Sequence, residues 1–333
     1  MRKQNETSGS RPDISVIVPC YNAERYLDVC LSSIRMQIGP SLQILLIDDG
    51  STDATGAILD RYAAEDPRAE VVHILNRGVS AARNHALSIA TGRYIFFVDA
   101  DDALEENALN LLFQTAESIG ADIVSACHTL FDMKTQRRIP VVAEGISENP
   151  RDVVRSIIHM HRIYNNLWNK LYAAALFDDG MRLDESVRIG EDALLNLQLY
   201  FRAKRITHIP QYTYVYRIHD HSAMSGIGDY AGAHQPMLRA MSRILLLLGA
   251  KGFFFRDFLE SCVWIHEKET GIRAAMKRFH ADIRPLVMEG LSEMDIPQSD
   301  LKLYRAVQKG LFPAWYMLSR IQKKLTMNKG ERL

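Results

Sequence analysis

The chain has 333 residues, 47% of them hydrophobic and 24% charged, with Lys plus Arg and Asp plus Glu equal at 40 each. That length predicts two domains, or one large domain with an appendage, and the balanced charge excludes a global field for nucleic acid, so any electrostatic function is local. Four cysteines, Cys20, Cys30, Cys127 and Cys262, stand far apart with no C-x-x-C pair, which argues against a zinc site or a disulfide framework and for reduced, buried thiols.

Residues 1–12 read as a flexible polar tail without the apolar core of a signal peptide. From Asp13 a regular alternation begins. Short runs rich in Val, Ile and Phe at 14–18, 43–47, 70–75 and 94–98 suit buried strands. Helical segments at 23–36, 53–64 and 79–90 lie between them, and strands alternating with helices of this size predict an α/β fold with a mostly parallel sheet covered by helices. A further helix, 105–119, leads to a strand at 122–126. Residues 128–228 mix short elements, with a helix at 191–202 and a strand at 212–218, and from 229 onward the pattern is almost wholly helical. The chain thus divides into a tail (1–12), a nucleotide-binding half (13–127), a part completing the site (128–228) and a helical C-terminal extension (229–333). The most apolar late stretch, 244–255, is interrupted by Lys251 and is too short to span a bilayer. The expected location is the cytoplasm, by default or on the inner face of the cell membrane.

In open parallel sheets, ligands bind beyond the carboxyl ends of the strands. Three such ends are polar: Pro19-Cys20-Tyr21-Asn22, Asp48-Asp49-Gly50-Ser51 and Asp99-Ala100-Asp101-Asp102. The last places three carboxylates within four residues after an apolar run, which repel one another unless a counter-charge is supplied. A hard divalent cation such as Mg²⁺ or Mn²⁺ supplies it, using one or two carboxylates plus phosphate oxygens. Asp99 and Asp101, two apart, share a side in an extended segment; the plainer role is that Asp101 or Asp102 caps the helix near Glu105. Asp49 is a candidate acceptor for a base N–H, or part of a turn in which Gly50 bends and Ser51 or Thr52 caps the next helix. Tyr21 offers a flat face to a nucleobase, or simply packs.

Val18-Pro19-Cys20-Tyr21-Asn22, Asp48-Asp49-Gly50-Ser51, Asn76-Arg77-Gly78 running into Ala82-Arg83-Asn84, and Phe97-Val98-Asp99-Ala100-Asp101-Asp102 follow in the order and spacing of a known family. Over residues 13 to about 110 the chain resembles the family 2 glycosyltransferases of GT-A fold, and more loosely so to about Ser225. The resemblance implies an inverting hexosyltransferase-type enzyme of bacterial polysaccharide or glycolipid synthesis that uses a nucleotide-sugar donor, UDP being the usual nucleotide. It implies that Pro19, Tyr21 and Asp49 hold the base, with Asn22 beside them, and that Arg83 helps to hold the nucleotide. Asp99 would approach ribose and metal, Asp101 would be the main metal ligand, and the cofactor would be Mn²⁺ or Mg²⁺ bound at this DXD motif.

The family places its catalytic carboxylate at a Glu-Asp pair such as Glu191-Asp192. Displacement at the anomeric carbon needs a base for the acceptor hydroxyl, and Asp192 is the expected base, with Glu191 orienting the acceptor. Without the family, both acids simply favour a helix N-terminus. Trp168-Asn169-Lys170-Leu171-Tyr172 resembles a segment near the acceptor pocket, where Trp168 either stacks on a sugar or is buried. In Tyr216-Arg217-Ile218-His219-Asp220-His221-Ser222, resembling the family's closing loop, His219 fits a position reaching the metal or diphosphate better than His221. The expected acceptor is a saccharide or lipid-linked saccharide, with no nucleic-acid partner.

Leu311, Trp315, Leu318, Ile321 and Leu325 recur at helical spacing, followed by Arg320, Lys323, Lys324, Lys329 and Arg332. Such a helix lies on an anionic membrane as a peripheral contact, or packs on its own protein. Two other functions compete: a nucleotidyltransferase making nucleotide sugars, which would show a Gly-rich basic loop after the first strand, and a non-catalytic nucleotide-binding scaffold, against which Asp101 and Asp192 together argue.

Overall fold

The computed structural model describes residues 11–142, 147–159, 165–220, 230–270, 275–276, 279–313 and 316. These form two compact units. The larger holds the described residues up to 154 together with 165–185 and 191–220; the smaller holds 155–159, 186–190 and those from 230 onward.

One sheet organises the larger unit. β1 (Ile14–Cys20) pairs with β2 (Leu42–Asp48) on one side and β4 (Tyr94–Phe97) on the other, and β3 (Ala69–His73) lies outside β2, all parallel. Every residue of β1 is buried, as a parallel strand covered on both faces requires. Ile14, Val16 and Val18 share a core with Leu27, Leu31 and Ile34 of α1 (Leu27–Arg35), Leu59 of α2 (Thr55–Glu65), and Leu109 and Leu112 of α4 (Ala108–Ile119). α3 (Val79–Ile89) packs on β1 and β2. Beyond β4 the sheet becomes mixed. β8 (Lys170–Ala173) runs antiparallel to β4 and to β6 (Ile123–Asp132), while β9 (Ile206–Ile218) is parallel to β6. The two-residue β5 (Ala103–Leu104) and β7 (Arg137–Val141) flank β9 and β6.

Pro19 marks where the sheet opens. The Asp49 N–H donates to the Cys20 carbonyl and the Val98 N–H to the Ile17 carbonyl, so by alternation residue 19 faces the β4 side. There a proline withholds the next ladder donor, and the pairing of β1 with β4 ends at Ile17 and Phe97. The polar strand ends lie at this opening.

Several expected boundaries shift. β6 and β9 run longer than their apolar cores because they pair with each other across a bulge at residues 126–128. The helix expected from Glu105 begins at Ala108 after Asn107, which has φ 59 and makes no side-chain cap, so neither Asp101 nor Asp102 caps it. Nor do Ser51 or Thr52 cap α2, whose N-cap is Ala54; Ser51 Oγ instead accepts from the Asn22 N–H at 3.0 Å. The four cysteines are buried free thiols.

The smaller unit is helical: α7 (Tyr230–Leu247), α8 (Phe255–Thr270), α9 (Arg284–Met288) and α10 (Leu301–Gln308), numbered after α5 (Pro150–Ile158) and α6 (Glu191–Arg202). Phe254, Phe255, Phe258, Phe279 and Phe312 are buried in it. The Lys251 that interrupts the apolar run is buried too, its ammonium donating to the Leu286 and Glu289 carbonyls at 3.0 and 2.7 Å, which satisfies the open end of α9. Among the described residues no helix is long and apolar enough to cross a membrane. Apart from residues 312, 313 and 316, the basic helix expected beyond Leu311 lies outside the described residues, as do His221 and Ser222.

Candidate active site

The turns after β1, β2 and β4 are knit together before any ligand is considered. Asn22, at φ 47, accepts from the Thr52 N–H at 2.8 Å. Gly50 takes φ 70, and a Cβ there would sit 2.7 Å from the Asn76 nitrogen, so both its angle and the neighbouring backbone require glycine. Asp49, 3% exposed, accepts the Arg77 and Gly78 N–H groups at 2.9 and 2.8 Å, one on each carboxylate oxygen. It braces the start of α3, and only its remaining lone pairs are left for a base. Tyr21, 52% exposed, presents its ring at the rim.

The acidic turn is not extended. The Asp102 N–H closes on the Asp99 carbonyl at 3.0 Å, so the three carboxylates diverge instead of alternating. Asp102 is buried: it accepts the Tyr214 hydroxyl at 2.8 Å and the Arg217 N–H at 2.8 Å. Burial, followed by the charges of Asp99 and Asp101, pushes it well above the usual carboxylate range. Asp101 is the most open of the three, with Oδ2 2.9 Å from His219 Nε2. His219 stacks on Tyr26, centroids 4.3 Å apart, and Arg217 donates to the Tyr26 and Asp101 carbonyls at 3.3 and 3.2 Å.

Asp99 turns the other way, to Arg83. That guanidinium, on α3 and 4% exposed, donates through Nη2 to Asp99 at 2.8 Å and through Nη1 to Asp192 at 2.7 Å, with Glu191 at 3.6 Å. Its Nε is buried without a hydrogen-bond partner among the described residues. One planar cation therefore ties the acidic turn to the first turn of α6, and the two carboxylates it bridges lie within about 8 Å of each other. Burial, opposed by Arg83, lifts Asp99 to about 6. Burial and then the Asp192 charge raise Glu191 to about 8, which favours its protonated form while its neighbour is held against Arg83.

This makes a stability prediction with a definite sign. Glu191 binds its proton more tightly folded than unfolded, so its contribution is complete below about pH 4.5 and is lost as pH rises through 8. Wild-type unfolding free energy should fall relative to that of Glu191→Gln across this window, at up to about 1.4 kcal/mol per pH unit. Urea titrations at several pH values measure the gap; a pH-independent gap would mean that Glu191 is ionised throughout.

Trp168 stacks on Tyr214 and Tyr216, with centroids at 4.8 and 5.5 Å, and meets His128 edge-on at 4.8 Å. The tyrosines alternate along β9, a period readable in the sequence, whereas the roles of Tyr26, Asn84 and Lys170 carried no signal beyond residue type. The Asn84 side chain pairs with both the N–H and the carbonyl of Leu183 at 2.9 and 3.0 Å.

For a metal, Asp101 and Asp99 offer hard oxygen donors, while Asp102 is consumed by Tyr214 and Arg217. Among the described residues no three His, Cys, Asp or Glu side chains gather as a complete cage. Asp101, the most open carboxylate, with positions left for phosphate oxygens and water, suits Mg²⁺ or Mn²⁺, and Asp99 joins it only by giving up part of its hold on Arg83.

A sheet of this topology, with its acidic turn at the carboxyl ends of the parallel strands, is that of a GT-A-type fold. A family model described as glycosyl transferase family 2 matches residues 15–187, and the chain belongs to that family. It is 32% identical to glycosyltransferase GlyA of Streptococcus pneumoniae over 72% of this chain and 35% of that one. It is 33% identical to the uncharacterized glycosyltransferase EpsJ of Bacillus subtilis over 62% of this chain and 61% of that one. The matches thus span about a third to three fifths of these relatives. In three dimensions it resembles Staphylococcus aureus TarS 1-349, solved in complex with UDP-GlcNAc, at a TM-score of 0.64 and 20% identity, covering 94% of this chain and 92% of that one.

Proposed function

We propose that the chain is an inverting glycosyltransferase that moves a sugar from a UDP-sugar to a hydroxyl of a saccharide or lipid-linked saccharide, in surface polysaccharide or glycolipid synthesis. The observation that carries this reading is the Arg83 bridge, which holds a candidate base, Asp192, within reach of the donor-side carboxylate Asp99. Residues 13–127 hold the donor and 128–228 the acceptor. Tyr21 covers the base and Asp49 fixes the turn beneath it. A divalent cation bound by Asp101, with Asp99, would neutralise the departing diphosphate.

Asp192 takes the acceptor proton as the hydroxyl oxygen forms its bond to the anomeric carbon on the face opposite the nucleotide. The bond from that carbon to the diphosphate oxygen breaks, and its electron pair leaves with the nucleotide. Protonated Glu191 donates a hydrogen bond toward the acceptor. The UDP-GlcNAc complex of TarS supports the choice of nucleotide, since the same fold accommodates that donor there.

Thermal-shift titration with UDP-GlcNAc, UDP-glucose and UDP-galactose in Mn²⁺ tests the reading, because a ligand stabilises only the state that binds it. At least one donor should raise the melting temperature, with slow release of UDP in the absence of acceptor. No shift and no UDP with any of the three would overturn it.

A further inference from the structure

Lys170, at the start of β8, is completely buried. Its ammonium donates to Asn166 Oδ1 at 2.6 Å, to the Asn166 carbonyl at 2.9 Å and to Asn169 Oδ1 at 3.0 Å. Among the described residues no carboxylate lies within ion-pair distance of it. A buried ammonium surrounded by neutral oxygens alone is costly and needs every contact it has. All of those contacts come from one turn, residues 166–169, in which Asn169 sits at φ 57.

That turn leans on α6. The Asn166 carbonyl that accepts from Lys170 also accepts from Asn196 Nδ2 at 2.8 Å, and Asn196 Oδ1 in turn accepts the Tyr172 hydroxyl at 2.7 Å. Asn196 lies four residues beyond Asp192, so both occupy one face of the helix. The Leu167 N–H points at Asp192 Oδ2 from 3.4 Å, and Trp168, next in the turn, is laid against Tyr214 and Tyr216.

We propose that Lys170 is a positioning residue for the acceptor side of the site: its ammonium winds the 166–169 turn and locks it to the face of α6 that carries Asp192. This rests on the glycosyltransferase reading above. When protonated, the same ammonium is a positive charge in the field of Asp192. The titratable groups around it are Asp192 on α6, His128 on β6 and His208 on β9; around Asp192 stand Arg83, Glu191 and Asp99. Burial and then the Lys170 charge push both histidines down to about 4, so neither competes as a cation. Burial lowers Lys170 itself to about 7, with Asp192 opposing.

Lys170→Met tests the assignment, with UDP-GlcNAc and Mn²⁺ as probes and UDP release to water as turnover. Donor affinity should stay at the wild-type value while turnover falls on the order of 10- to 100-fold, as for a small misplacement of a reacting group. A purely structural lysine would lower the melting temperature yet leave turnover per folded molecule in place, which overturns the proposal. If Lys170→Met does not fold, Asn166→Ala removes the shortest ammonium contact and keeps the charge; it should lower turnover at unchanged donor affinity, and wild-type turnover there overturns the proposal equally. A wild type that neither binds nor hydrolyses the donor would defeat the glycosyltransferase reading itself, a different result from an active wild type with an equally active Lys170→Met.

Discussion

Asp192→Asn should lower turnover by about 10²- to 10⁴-fold while donor affinity stays close to wild type. The amide keeps an oxygen where Oδ1 accepts from Arg83 at 2.7 Å, so the bridge and the first turn of α6 persist and what is lost is the ability to take a proton. Because the base acts in the transition state, kcat falls and the dissociation constant for the donor does not. Product from an α-linked donor should be β-linked, visible in the coupling of its anomeric proton by NMR. Retention of configuration, or near-normal turnover in Asp192→Asn, removes the residue from the chemistry. Loss of donor binding in that variant would mean instead that the side chain is a structural support for Arg83.

Asp101→Ala should abolish metal-dependent binding of UDP. Asp101 is the carboxylate of the acidic turn that solvent reaches most easily, and its own partner is His219 at 2.9 Å. Chelator should bring wild type to the level of the variant, and the variant should be indifferent to chelator. Asp99→Ala should lose less, since Asp99 shares its charge with Arg83. Isothermal titration with UDP, with and without Mn²⁺, reads all three. Equal UDP affinity of wild type and Asp101→Ala in Mn²⁺ would refute the metal assignment.

The half of the site written in contiguous residues was legible before the fold was known. Pro19, Asp49 and the 99–102 run each sit where an apolar strand stops, and that junction is a local feature of composition. What local pattern cannot report is which side chains meet across the sheet. Arg83 reaches Asp192 over 109 positions and His219 reaches Asp101 over 118, separations at which no periodicity operates. The same limit explains the cap assigned to Asp101 or Asp102: three acids before a helix fit that role in sequence, but Tyr214 and the Arg217 N–H, arriving from β9, bury Asp102 instead. Strand ends depart from the apolar pattern where pairing rather than hydrophobicity sets the length, as in β6 and β9. Lys170 and Asn196 looked ordinary because their importance lies in completing one another's hydrogen bonds.

The fork of Arg83 makes three positions one electrostatic unit. Its two terminal nitrogens are spoken for by carboxylates from separate elements, the turn after β4 and the first turn of α6, so a change at 99 alters the electrostatic setting of 192 without touching it. Substitutions at the two acids should be non-additive, and lysine, a point charge without the planar fork, could serve one of them but not both. An exchange at Tyr21 stays local to the rim, whereas an exchange at 83, 99 or 192 resets the charge balance of the other two.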